Sequence, residues 1–179
     1  MMLRVSTKGE YGVRIMVDLA RHYGERPRSL TEIAQAEKKI ADATESFRSG
    51  AHFLFGIERR EDRSLIGTAT VWNVSVSNRR ADLGYALARP RWGKGYMHEA
   101  LHALVDHAFG TMSLNRLEAD IDPRNAASAR VLEKLGFVQE GMLRERWIVN
   151  GEISDTALYG LLARTWQATK IERTGNVLP

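Results

Sequence analysis

Between Ala81 and Phe137 the chain switches twice from a strand-like period of two to a helical period, and this alternation restricts the fold more than any other feature. The run ADLGYALA puts Leu83, Tyr85 and Leu87 on one side of a strand and Asp82, Gly84 and Ala86 on the other, because strand side chains point alternately to opposite faces. Pro90 ends that strand. The loop Trp92, Gly93, Lys94, Gly95, Tyr96 then leads into a helix with Met97, Leu101, Leu104, Val105 and Ala108 on its inward stripe. NRLEADI reads as a second strand. In DPRNAASARVLEKLGF, Asn125 is placed to cap a helix that turns Ala129, Leu132 and Leu135 inward and stops at Gly136. Strand, helix, strand, helix in this order requires a crossover, so the reading predicts neighbouring parallel strands in an α/β fold.

The flanks extend this unit. HFLFGI and SLIGTATVWNV precede it, divided by the charged stretches ERREDR and SNRR, and together with ADLGYALA they predict a three-stranded meander. RERWIVN and ISDTALYGLL follow as two strands around the turn Asn150 and Gly151. Ahead of the meander, Tyr11, Ile15, Met16 and Leu19 predict a helix over residues 7–23. Ser29 and Glu32 have capping-box spacing, and Leu30, Ile33, Ile40 and Phe47 carry a second helix up to Gly50. The last residues, ERTGNVLP, read as a frayed end.

Length and composition narrow the chemistry. A chain of 179 residues fits one ordinary domain. It has no cysteine, which excludes disulfides, thiolate metal sites and a cysteine nucleophile and fits a reducing compartment. No apolar run is long enough to span a membrane, and MMLRVSTKGE lacks the apolar stretch of a signal peptide, so a soluble cytoplasmic protein with no membrane partner is expected. The net charge is +4, but Arg59, Arg60, Arg63, Arg79 and Arg80 are interspersed with acids and read as solvated surface rather than a nucleic-acid stripe.

The glycine loop is the first motif with chemistry in it. Between a strand and a helix start, free N–H groups and the positive end of the helix dipole attract a pyrophosphate, and small residues let the backbone come close. The loop lacks the earlier glycine and the following Ser or Thr of a P-loop, and His98 occupies the third glycine position of a dinucleotide fingerprint, so ATP and NAD readings fail. HEALH, from His98 to His102, matches the zinc-protease pattern literally. No third histidine follows at the metalloprotease spacing, and His107 lies off the face of His98 and His102, so no metal is expected.

In order and spacing, RPRWGKGYMHEAL, NRLEADIDPRNAASARVLEKLGF and GMLRERWIVNGEISDTALYGLL resemble the GNAT superfamily, in particular its ribosomal-protein N-terminal acetyltransferases, over about residues 51–166. The resemblance implies a mixed, splayed sheet flanked by helices and an acetyl-CoA-dependent N-acetyltransferase whose acceptor is a primary amine, a small molecule or a protein amino terminus. By it, the backbone of Trp92, Gly93, Lys94, Gly95, Tyr96 and Met97 holds the cofactor pyrophosphate, pantetheine lies along residues 84–88, and Asn125 bonds the cofactor arm. Trp92 stands where many members have Arg or Gln, and Met97 where they have Gly or Ala; Met97 also lies on the inward stripe, so core packing is its expected job. With no cysteine for a covalent relay, the amine attacks the acetyl carbonyl directly. A backbone N–H near Tyr85, Ala86 and Leu87 is expected to stabilise the oxyanion, and Ser128, by the same resemblance, to protonate the departing thiolate. Asp82, Glu118 and Glu145 are the possible bases, each equally readable as a surface or salt-bridging carboxylate. Asp82 ranks first because it lies on the strand bordering the thioester, whereas the family's counterpart of the catalytic acid near Glu145 falls at Trp147.

The front does not follow this pattern. Residues 1–36 resemble the opening of winged-helix regulators related to the iron–sulfur cluster repressor, without a recognition helix or cluster cysteines, so no specific DNA binding is expected. The division is thus an atypical helical segment over 1–36, an acetyltransferase core over 37–166 and a tail over 167–179. The front stripes are expected to dock on the sheet or on a second copy of the chain, which leaves a homodimer open. Two rival functions stand beside the enzyme: a catalytically impaired acetyl-CoA-binding or scaffold protein, and a DNA-binding regulator.

Overall fold

β-Branched and aromatic residues at every second position make the first three runs strands. They are β1 (His52–Glu58), β2 (Leu65–Ser75) and β3 (Arg80–Leu87), paired antiparallel as the expected meander. This is a computed structural model, and it describes residues 52–168. The front helices and the frayed end expected from the sequence lie outside the described residues. Phe55 faces Ala69, Ala69 faces Tyr85, and Val71 faces Leu83, so one face of the meander is apolar from edge to edge.

From β3 a 3-10 turn at Arg89–Arg91 and helix α1 (Tyr96–Gly110) lead to β4 (Arg116–Ile121), which lies parallel to β3. Helix α2 (Ala126–Lys134) follows, then the antiparallel pair β5 (Val138–Val149) and β6 (Glu152–Leu162), and residues 163–168 are helical. β6 inserts between β4 and β5, giving a six-stranded mixed sheet in the order β1-β2-β3-β4-β6-β5. The hairpin turn is the expected one: Asn150 and Gly151 both have positive φ, 52° and 80°, the backbone that a two-residue turn of matching twist requires.

The helices end and dock as their sequences dictate. Gly136 is left-handed at φ 90°; its N–H bonds the Glu133 carbonyl and the Phe137 N–H bonds that of Leu132, which closes α2 with a Schellman motif. Met97, Ala100, Leu101, Leu104, Val105 and Ala108 of α1 and Leu132 of α2 are buried in one cluster with Ala81, Leu83, Leu117, Ala119, Tyr159 and Leu161 of the sheet. Trp166 joins this cluster, its Nε1 donating to Asp106 Oδ1 at 2.6 Å and its ring 4.7 Å from that of His102.

One strand is longer than the sequence reading. The expected strand RERWIVN extends back to Val138, with irregular register at Gln139/Gly141 and Leu143/Trp147. β5 is an edge strand exposed along nearly all its length, so neither face imposes the alternation by which a half-buried strand is recognised.

β3 and β4 pair only at Arg80 with Arg116, Ala81 with Leu117 and Asp82 with Glu118. Beyond that point β3 runs on to Leu87 beside β2, and β4 to Ile121 beside β6, which splays the sheet at its middle. Gly67 is central to the β2 side of this splay, because a Cβ there would collide with the Ala86 carbonyl oxygen and crowd Leu87. Gly67→Ala should therefore destabilise the fold by about 1–3 kcal/mol in urea unfolding, since backbone cannot yield as a side chain does. Gly110→Ala, where nothing lies within 4 Å, is the control and should be neutral or stabilising.

Candidate active site

The start of α1 is built from backbone. Trp92 donates its indole Nε1–H to the Leu87 carbonyl at 2.8 Å, folding the loop back over the end of β3. Gly93 and Gly95 are left-handed at φ 71° and 81°, and nothing lies within 4 Å of where their side chains would be. Gly95 caps α1 without any side-chain capping bond, and the first helical bond runs from Glu99 N to the Gly95 carbonyl, 3.1 Å. The N–H groups of Tyr96, Met97 and His98 therefore project from the positive end of the helix without intrahelical partners. Lys94 is exposed beside them. Met97 is 6% exposed and packs into the core, the job expected of it. An uncapped helix start behind two open glycines suits a polyphosphate-bearing ligand such as acetyl-CoA.

The second wall is the unpaired end of β3. Leu83 is buried and Tyr85 and Leu87 pack against the core, while Asp82, Gly84 and Ala86 take the other face, as the alternation requires. Nothing lies within 4 Å of the position a Gly84 side chain would take. Past Asp82, the main-chain groups of residues 83–87 that point away from β2 have no strand to bond among the described residues. These are the N–H groups from which an oxyanion donor near Tyr85, Ala86 and Leu87 would come.

The third wall is the first turn of α2. Asn125 caps it as expected, its side-chain oxygen accepting the Ser128 N–H at 3.1 Å, so contact with a cofactor is left to the amide nitrogen. Asp122 and Arg124 pin the preceding loop: the Arg124 guanidinium bonds Asp122 and also Glu152 of β6, and it holds the Asp122 carboxyl down at about 2. Ser128 is half-buried in the first turn, and its carbonyl accepts the Tyr85 hydroxyl at 3.3 Å. Burial pushes the Tyr85 phenol above its usual value, further from ionising. Sequence reasoning chose Tyr85 for its backbone and missed the hydroxyl, because only the fold brings residue 85 to residue 128.

The carboxylates separate by environment. Asp82 sits where β3 and β4 part, accepts from Asn73 Nδ2 at 3.0 Å and lies 3.4 Å from Arg80 Nη1. Burial, outweighing these contacts, pushes its pKa above the ordinary aspartate value. Glu118, beside it in register, is held by Arg80 at 2.8 Å and Arg116 at 2.7 Å. Glu145 lies far from this cluster in sequence and on β5, at φ 53° in the Leu143/Trp147 irregularity, with its N–H on Asp155 Oδ1 at 2.8 Å. The neighbouring Trp147 is exposed, with the Arg146 guanidinium 5.5 Å from its ring centre. Asn73 also has positive φ, 49°, in a register break of β2, and nothing in the local sequence signals that it turns its amide onto Asp82.

The HEALH histidines lie along α1. The rings of His98 and His102 are 6.4 Å apart, His102 Nδ1 is 3.7 Å from Asp106 Oδ2, and His107 sets its ring edge to Phe55. Burial lowers the pKa of His107.

Comparison with known proteins gives the family of the chain. The acetyltransferase (GNAT) domain family matches residues 13–138, a span that takes in much of the front segment for which the sequence suggested a winged-helix resemblance, and no comparison shows that resemblance. N-acetyltransferase p20 of Bacillus licheniformis is 35% identical over 136 residues, covering 76% of each chain. The ribosomal protein uS5 alanine N-acetyltransferase of Escherichia coli is 30% identical over 131 residues, 73% of this chain and 68% of that one. Among solved structures, RimJ of Mycobacterium smegmatis in complex with CoA-disulfide superposes with a TM-score of 0.72 at 27% identity, covering 93% of this chain and 84% of that one.

The raised pKa of Asp82 has a thermodynamic consequence. The folded protein keeps this proton to higher pH than the unfolded chain, so ionising the group costs stability as pH climbs from the ordinary aspartate value of 3.8 through the raised one. Asp82→Asn should remove that loss, making the variant gain on the wild type over this window when urea unfolding is followed from pH 3 to pH 7. A variant that instead loses ground as pH rises would show that the Asn73 and Arg80 contacts dominate over burial.

Proposed function

This chain belongs to the GNAT acetyltransferase family and moves an acetyl group from acetyl-CoA to an amine; from that premise we propose that its acceptor is a protein amino terminus and that Ser128 and Asp82 carry the proton transfers. One observation supports the site assignment above the rest. The uncapped start of α1, the unpaired end of β3 and the first turn of α2 converge at one splay, joined by the Trp92–Leu87 and Tyr85–Ser128 bonds.

The roles follow from the chemistry of each position. Trp92, Gly93, Lys94, Gly95, Tyr96 and Met97 contribute backbone N–H groups to the pyrophosphate, with the helix dipole adding to the attraction. Residues 84–88 bond the pantetheine arm through the free edge of β3, and the Asn125 amide bonds it from the other side. When bound, acetyl-CoA supplies a thioester carbonyl open to attack by an amine. An N–H among Tyr85, Ala86 and Leu87 stabilises charge growing on the carbonyl oxygen. Asp82, directly or through water, takes the proton that the attacking amine loses; its raised pKa brings it nearer to an amine's range than an ordinary carboxylate. Ser128 Oγ gives a proton to the departing sulfur as it takes one from solvent water, and the α2 amino-terminal dipole favours the negative charge developing there.

The acceptor assignment rests on the uS5 alanine acetyltransferase likeness. The chain has no cysteine, and among the described residues no helix is long and apolar enough to cross a membrane, which supports a cytoplasmic location. A second copy of the chain is its proposed protein partner besides the acceptor.

Three measurements test this reading. Gly95→Glu puts a charged side chain into a left-handed position at the helix start and should weaken acetyl-CoA binding by about tenfold or more in calorimetry; unchanged affinity in the folded variant moves the pyrophosphate elsewhere. Ser128→Ala should lower kcat by about ten- to a thousand-fold with acetyl-CoA affinity nearly intact, as for loss of one proton donor. In an acceptor screen, peptides with a free amino-terminal alanine should turn over faster than spermidine or free lysine, and preference for a small polyamine would overturn the acceptor assignment.

A further inference from the structure

The first turn of α2 has little apolar burial to hold it. Ala126 and Ala127 are exposed and the small Ala129 is the one apolar side chain of this turn that packs against the core, while the helix is anchored at its other end by Leu132, Leu135 and Phe137. Polar bonds therefore decide where this turn sits, and two of them converge on Ser128. Its N–H goes to Asn125 Oδ1 at 3.1 Å, and its carbonyl accepts the Tyr85 hydroxyl at 3.3 Å. They do different work. Asn125 belongs to the same segment and shapes the turn from within, so it has no purchase on the distance to the sheet. Tyr85 comes from β3, across the splay, with its ring packed against the core beside Leu83 and opposite Ala69. A rigid aromatic on one wall that bonds the backbone of the other is a spacer.

We propose that Tyr85 is a positioning residue: through the Ser128 carbonyl its hydroxyl sets how far the first turn of α2 stands from β3, and so where Ser128 Oγ reaches within the splay. The catalytic consequence rests on the reading of Ser128 as the proton donor, whereas the tie itself does not. The bond is a neutral one to a carbonyl that also serves its helix, so its loss should loosen the turn without unfolding the domain.

Tyr85→Phe removes the hydroxyl and keeps the ring. Hydrogen exchange in the protein without acetyl-CoA, read on peptides spanning residues 122–132, should show faster exchange in the first turn of α2, with the melting temperature changed by only about 2–4 °C. On the amine that turns over best in the screen, kcat should fall about three- to thirtyfold, with the Kd for acetyl-CoA within about twofold of the wild type. The Tyr85→Phe, Ser128→Ala double variant should be no slower than Ser128→Ala, because a residue acting only through Ser128 has nothing left to position. Unchanged exchange in Tyr85→Phe overturns the proposal. So does a full multiplicative loss in the double variant, which would mean that Tyr85 acts on its own. If Ser128→Ala turns over like the wild type, the proton-donor reading fails alone, and the exchange result still decides whether Tyr85 holds α2.

Discussion

The parting of β3 from β4 after Asp82 and Glu118 is the constraint on which the rest of the structure depends. A strand that loses a neighbour leaves N–H and C=O groups without partners, and in a dry interior each costs about 1–3 kcal/mol. The sheet tolerates the gap because each strand keeps its other ladder: β3 stays paired with β2 up to Leu87, and β4 with β6 up to Ile121. The close approach at Gly67 is part of that compensation. Because the two strands are parallel, both helices that follow them begin at the open end, and the amino termini of α1 and α2 come to the same gap. An open strand edge, two helix starts and a bridging phenol thus meet at one gap, the place where the proposed function puts an extended, polyphosphate-bearing thioester.

Charge is concentrated at the closed root of the splay. Arg80 lies between Asp82 and Glu118, and Arg116 between Glu118 and Glu140. Such partly exposed pairs contribute little to stability individually, so their effect is chiefly on orientation and on the proton affinity of Asp82. The Arg116–Glu140 pair lies across β6 at Gly160, where a Cβ would come within 2.6 Å of Glu140 Oε1 and 2.7 Å of Arg116 Nη2. This bare position on β6 lets the pair close. Glu118 is thereby doubly paired, whereas Asp82 has an amide and one longer guanidinium contact, which separates the two carboxylates in a way their identical chemistry could not.

Much of this was legible in the residues. The alternation of Leu83, Tyr85 and Leu87 against Asp82, Gly84 and Ala86 appears in the structure as a core face and an open face. Gly93, Gly95, Asn125, Gly136 and the Asn150–Gly151 turn all take the backbone roles that their chemistry favours. Each of these is a local matter: a period, a cap or a positive φ is dictated by neighbours within a few positions. The first half of β5 is not legible in the sequence, because an edge strand exposed on both sides carries no burial pattern.

Among the described residues the sequence by itself determined the order of the six strands and the two helices α1 and α2, the parallel pair at their centre and the glycine-rich helix start, because hydrophobic period and turn chemistry act at short range. Only the tertiary structure decided that Asn73 reaches Asp82, that Arg80 and Arg116 both take Glu118, and that the Tyr85 hydroxyl bonds Ser128. Those contacts span strands and crossovers, and strand register sets each of them. Register is a property of the whole packed sheet, since a slip of one residue would turn every side chain to the opposite face while leaving each local pattern unchanged.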